Sequence, residues 1–167
     1  MKNQSVNKKT FSELIEQHQA IIHKITLVYA NGSLNREDLF QDICLQLWRS
    51  YPNFRGDAKI STWMYRVALN TAISNVRKKD KGLHFEQLNE NDRNDTENSD
   101  EKEQVKLLYQ AIARLNRIDK AIILLWLEEK SYDEIALILG ISKTNVSVKL
   151  VRIKRKLEEI IFSTMNE

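Results

Sequence analysis

The sequence predicts an all-α protein, built as two small helical modules joined by an acidic connector. Three observations carry that expectation. Glycine and proline number four and one in 167 residues, and they stand at Gly32, Pro52 with Gly56, Gly82 and Gly140, between periodic segments. Apolar residues recur across those segments at steps of three and four, the spacing that lines one face of a helix. From Glu86 to Gln104, eight acidic residues stand against two basic ones with almost no apolar content, too little to offset the entropy of ordering the chain.

The first module, expected over residues 8–82, opens with a helix whose apolar stripe is Phe11, Leu14, Ile15, Ile21, Ile22, Ile25 and Val28. Asn35 supplies the short acceptor wanted at a helix start, and Glu37 and Asp38 fall in the first turn, where the helix dipole favours negative charge. A helix over about residues 36–50 follows, with Leu39, Ile43 and Leu47 beside Phe40, Cys44 and Trp48. Pro52 and Gly56 punctuate the loop YPNFRGDAKI, and Ser61 or Thr62 opens a third helix through TWMYRVALNTAISNVRKK. The connector is expected at residues 83–103 and the second module at 104–162. There Val105, Leu108, Tyr109, Ile112 and Leu115 restore helical spacing, and Ile122, Ile123, Leu125 and Trp126 mark a short apolar helix.

The stretch SYDEIALILGISKTNVSVKLVRIKRKL, residues 131–157, is the most informative. Ser131 and Glu134 form an S-x-x-E capping box, in which each side chain satisfies the other's free backbone N–H. Ile135, Ala136 and Leu139 are expected on the buried face of the helix that follows, and Gly140 can take the left-handed conformation that ends it. Ser142 offers the next N-cap, and Val146, Leu150, Ile153 and Leu157 form the inner stripe of a second helix. This is the pattern of a helix-turn-helix. Six of the residues from 143 to 156 are basic and none is acidic, the footprint of a helix that docks on DNA phosphates. Lys143, Thr144, Asn145, Ser147, Lys149, Arg152, Lys154, Arg155 and Lys156 would face outward. Thr144, Asn145 and Ser147 could bond base edges, and Lys149 could reach guanine or phosphate. A solvated basic helix in an ordinary bundle is the plainer reading; the capping box, Ala136, Gly140, Ser142 and Val146 together favour DNA.

Other functions find little support. No run of eighteen apolar residues occurs and the segment MKNQSVNKKTF lacks the apolar centre of a signal peptide, so the expectation is a cytoplasmic protein without membrane insertion. Cys44 has no second cysteine and no nearby histidine, and is expected in the core. His18, His23 and His84 accompany no cysteine motif, no glycine-rich phosphate loop is present, and Asp38 with Asp42 lacks a companion histidine. No catalytic residue, metal or cofactor is therefore expected. The net charge of +3 combines −6 over residues 86–104 with +9 elsewhere.

Over residues of about 10–79 and 104–158, the chain resembles the extracytoplasmic-function sigma factors of bacterial RNA polymerase. REDLFQDICLQLW resembles the family's region 2.2, FRGDAKISTWMYRVALNTAISNVRKK its regions 2.3 and 2.4, and LYQAIARLNRIDKAIILLWLEEKSYDEIALILGISKTNVSVKLVRIKRKL its region 4. The resemblance implies a non-enzymatic subunit whose partners are the polymerase core, through the β′ clamp helices and the β subunit, and promoter DNA. It leaves an anti-sigma factor open as a further partner.

Carried over by position, Asp38, Leu39, Gln41 and Asp42 would contact the β′ clamp helices from an exposed helix face. Phe54, Arg55, Lys59, Trp63, Tyr65, Arg66, Asn70, Arg77, Lys78 and Lys79 would capture the unstacked bases of the minus-ten element, which requires planar faces beside a basic track. Trp63 shares a face with Val67 and could equally be packing. Ser142, Lys143, Thr144, Asn145, Ser147, Lys149, Arg152 and Arg155 would take the minus-thirty-five element. Thr144 stands where a glycine is common, Ser147 where a lysine is common, and Ser74 and Asn75 replace a common acidic and aromatic pair, so the promoter sequence does not carry over. The competing reading is a stand-alone helix-turn-helix regulator whose first module dimerises or binds a signal.

Overall fold

The structure, a computed structural model, describes residues 8–30, 34–81 and 100–167, with the side chains at 8, 9 and 79–81 outside that description. Every regular element among the described residues is helical, as the breaker-poor sequence leads one to expect. Helices α1 (Lys8–Tyr29), α2 (Arg36–Ser50) and α3 (Ile60–Lys81) make one compact unit; α4 (Asp100–Ile112), α5 (Arg117–Leu127), α6 (Tyr132–Leu139) and α7 (Lys143–Met165) make a second.

In the first unit each helix packs on the other two. Ile22, Ile25 and Val28 of α1 meet Leu39, Ile43 and Leu47 of α2 and Met64, Ala68, Leu69 and Ala72 of α3 in a core closed to solvent. Ala68 and Ala72, one turn apart, let the α3 backbone approach its neighbours closely. The start of α2 is fixed by Asn35, whose side-chain Oδ1 accepts from the N–H groups of Glu37 at 2.8 Å and Asp38 at 3.2 Å. Its end runs into a single 3-10 turn, Tyr51–Asn53, where Pro52 lacks the N–H that a longer helix would need. Cys44 is half-buried beside this core, and burial pushes its thiol up from the ordinary cysteine range, which keeps it neutral.

The second unit starts earlier than expected. Residues 100–103, read from composition as the end of the connector, form the first turn of α4, where Asp100, Glu101 and Glu103 lie against the positive end of the helix dipole. Acidity that looks like a solvated linker is here a helix-start signal. The remainder of the connector, 83–99, lies outside the described residues. Asn116 caps α5 by accepting from the N–H of Asp119 at 2.9 Å, and α5 buries Ala121 through Leu125 without a break.

Both halves of the expected capping box are present on α6: Ser131 Oγ accepts from the Glu134 N–H at 3.1 Å, and Glu134 Oε2 accepts from the Ser131 N–H at 3.2 Å. The buried residues of α6 are Ile135 and Ile138; Ala136 and Leu139, expected there, are only partly covered. Gly140 ends the helix at φ 68°, its N–H donating to the Ala136 carbonyl at 2.9 Å. Ser142 Oγ then accepts from the Asn145 N–H at 3.1 Å and opens α7, whose buried residues are Val146, Leu150, Ile153 and Leu157. These hold α7 against α4, α5 and α6.

Candidate nucleic-acid and partner interfaces

On α2 the inner row, Leu39, Ile43 and Leu47, occupies one face and forces the intervening residues outward. Asp38, Gln41 and Asp42 are exposed, and Leu45 joins them at 43% exposure, so the outward stripe runs at steps of three, one and three residues. Leu39 is 0% exposed and is a core residue, not a partner contact. The reason is register: Leu39 lies one turn from Ile43, whereas Asp38 and Asp42 lie one turn from each other on the opposite side. Leu45 was missed because it lies in the largely apolar stretch ICLQLW, where it looks like core; counting from Asp38 and Gln41 places it on the outward side. Asn75 of α3 donates from Nδ2 to Asp42 Oδ2 at 3.0 Å, which orients this carboxylate at the edge of the stripe.

The loop before α3 brings Phe54 and Trp63 together, their ring centres 5.2 Å apart and tilted by 45°. Tyr51 also lies against Trp63, their ring centres 6.1 Å apart. Trp63 is half-buried in this cluster, so it packs and still presents an edge. Along α3, Trp63, Arg66, Asn70 and Arg77 share one face, joined by Ser74, and Arg66, Asn70, Ser74 and Arg77 are all exposed. Arg55 and Lys59 are exposed on the preceding loop and Lys78 near the end of the helix. Lys79 lies in the last turn with its side chain outside the described residues.

Tyr65 does not belong to this surface. At 2% exposure it has no ring face left for a base. It lies one turn from Leu69 and two from Ala72, on the face that meets α1 and α2, and its aromatic character misled the sequence reading.

On α7 the four buried residues define the inner face, and the opposite side carries Thr144, Asn145, Arg152 and Arg155, all exposed. Ser147 and Lys149 are half-buried along the flanks. Ser142 is committed to its cap, and Lys143 pairs with Asp133 of α6, Nζ to Oδ2 3.3 Å, both side chains wet. Lys154 folds back over α5, its Nζ 4.1 Å from the centre of the Trp126 ring. Val148 and Val151, which the sequence reading did not single out, also stand on the outward side, and the inner stripe already accounts for every apolar position the core uses. The basic stretch stops abruptly at Lys156, followed by exposed Glu158 and Glu159. No group of three or more His, Cys, Asp or Glu side chains among the described residues is placed to hold a metal ion, and no described helix is long and apolar enough to cross a membrane.

The arrangement matches two family models in order, Sigma-70 region 2 over residues 14–82 and Sigma-70, region 4 over residues 106–157. It defines a sigma-type chain. The RNA polymerase sigma factor YlaC of Bacillus subtilis is 29% identical over 139 residues, covering 78% of this chain and 80% of that protein. The RNA polymerase sigma-H factor of Pseudomonas aeruginosa is 30% identical over 70 residues, 42% of this chain, and the match spans 36% of that protein's length. Among solved structures, the sigma factor RpoE in complex with the anti-sigma factor NepR from Bartonella quintana shares the fold, with a TM-score of 0.73 over 92% of this chain and 97% of that one at 18% identity. The chain belongs to the sigma-70 family, among its extracytoplasmic-function members.

Proposed function

We propose that this protein is a promoter-specificity subunit that binds core RNA polymerase and directs it to start sites, the polymerase itself doing the chemistry. The stripe Asp38, Gln41, Asp42 and Leu45 on α2 is its contact with the β′ clamp helices: acidic and amide groups beside one exposed leucine suit a helical interface with a polar rim. Phe54, Trp63, Arg66, Asn70 and Arg77, with Arg55, Lys59, Lys78 and Lys79 as the basic track, take the minus-ten strand once it is melted. The outward side of α7 reads the minus-thirty-five duplex, with the β subunit as the second unit's neighbour on the polymerase. The protein is not an enzyme, and it works in the cytoplasm, where polymerase meets the chromosome. An anti-sigma protein, such as NepR is for RpoE, is a further proposed partner.

The observation that carries this reading is one chain's possession of both surfaces in family order: an acidic and amide stripe ending in an exposed leucine on α2, and a helix-turn-helix whose second helix is basic outside and apolar inside. A regulator acting alone has no use for the first. Run-off transcription from a genomic promoter library, with core polymerase and the purified chain, is the test. Specific transcripts that appear only with both components support it; tight sequence-specific duplex binding by the chain alone, with no transcription on adding core, would replace it by the stand-alone regulator.

A further inference from the structure

Val148 and Val151 are 45% and 60% exposed in the middle of the basic stretch 143–156 of α7. Folding does not account for them. They lie on the side of α7 opposite Val146, Leu150, Ile153 and Leu157, and β-branched residues are poor choices for a wet helix surface, because they lose rotamer freedom without gaining contacts. Thr144 precedes Val148 by four residues and Val151 by seven, so its methyl group continues the same row. Cationic side chains border the row: Lys149 and Arg152 on one side, Arg155 at its far end.

We propose that this row selects thymine in the minus-thirty-five duplex, Val148 and Val151 packing on 5-methyl groups in the major groove. The argument rests on the DNA-binding reading of α7. A major groove offers hydrogen-bonding edges at every pair and one apolar group, the thymine methyl. An apolar row beside phosphate-seeking cations is complementary to that surface: the charges meet the backbone along one edge of the groove and the methyls meet its floor. A protein partner would need acidic groups set beside an apolar strip to match the same cations, whereas duplex DNA carries phosphates along every groove. Specificity is then partly apolar, and the polar groups Asn145 and Lys149 carry only the remainder.

Replacing thymine by deoxyuracil removes the methyl and leaves every hydrogen-bonding group in place, so it isolates this contact. Holoenzyme made from the full chain and core polymerase is titrated with minus-thirty-five duplexes carrying single thymine-to-deoxyuracil changes, for the wild type and for Val148→Ala and Val151→Ala. Each methyl in contact is worth about three- to fourfold in affinity, the factor carried by burying one methylene-sized group. The expected result is that at one or more positions the wild type loses that factor, and that each variant binds the thymine and deoxyuracil duplexes equally at its own position. Both valines are exposed, so thermal unfolding should be unchanged and serves as the control for folding. Sequence-specific binding with no deoxyuracil effect at any position overturns the valine assignment alone. Valine variants that weaken assembly with core on all sequences alike overturn it too, making the row a protein contact. Failure to bind any sequence specifically overturns instead the sigma reading on which the proposal rests.

Discussion

Lys154 of α7 caps the ring of Trp126 on α5, ammonium to ring centre 4.1 Å, and the two helices are thereby joined on the surface as well as through the core. An exposed pair of this kind is worth about 0.5–1 kcal/mol. Lys154→Ala should therefore destabilise the protein by about that amount while leaving the salt dependence of DNA binding near its wild-type slope. Trp126 is the one tryptophan in residues 100–167, so its fluorescence reports on the second unit, and a shift in emission with an unchanged slope of log affinity against log salt is the expected pair of results.

Along α7, early polar residues and late cations should fail differently. Asn145→Ala and Lys149→Ala should change which minus-thirty-five sequences are preferred, since a good base contact carries ~1–3 kcal/mol of discrimination. Arg155→Ala should weaken binding to all sequences alike and flatten the salt slope by about one, the signature of a lost phosphate contact. A minus-thirty-five library bound at two salt concentrations separates the two behaviours.

On α2 the same logic divides a core residue from its exposed neighbours. Leu39→Ala removes a side chain closed to solvent and should cost about 2–5 kcal/mol of stability, visible as a lower denaturant midpoint. Asp42→Arg and Leu45→Ala should leave unfolding within about 1 kcal/mol of wild type, since Asp42 loses one exposed hydrogen bond and Leu45 no core contact. Both should co-purify poorly with core polymerase. Undiminished retention of these two variants would move the interface off this stripe.

Gly140→Ala tests the turn between α6 and α7. A Cβ added there meets no atom within 4 Å, so the cost is purely that of φ 68° for an L-residue, about 1–2 kcal/mol. Equilibrium unfolding measures it. A loss well beyond that range would mean that the turn has rearranged and carried α7 with it.

What the sequence revealed, it revealed through local rules. The capping box at Ser131 and Glu134, the glycine at 140, the Ser142 cap and the row Val146, Leu150, Ile153 and Leu157 each depend on residues one turn from the next, and all are present. Leu39 and Tyr65 were misassigned because a family position and an aromatic ring outweighed periodicity: Leu39 sits one turn from buried Ile43, and Tyr65 one turn from buried Leu69. Asp100 was misread because a carboxylate at a helix start and a carboxylate in a linker look the same in composition. The partnering of Lys154 with Trp126 and of Asp42 with Asn75 joins residues 28 and 33 positions apart, and no spacing rule links them.

The charge reversal on α7 acts as a ruler. Thirteen residue steps separate the first cation at 143 from the last at 156, a length of about 20 Å at 1.5 Å per residue, and that length matches about six base pairs of duplex at 3.4 Å each. Beyond it Glu158 and Glu159 would repel a DNA backbone, so a helix docked as proposed could not slide further along the groove without bringing like charges together. On the proposed duplex-reading role of α7, the place where the cations end would set both how much DNA the helix covers and where along its axis the reading begins.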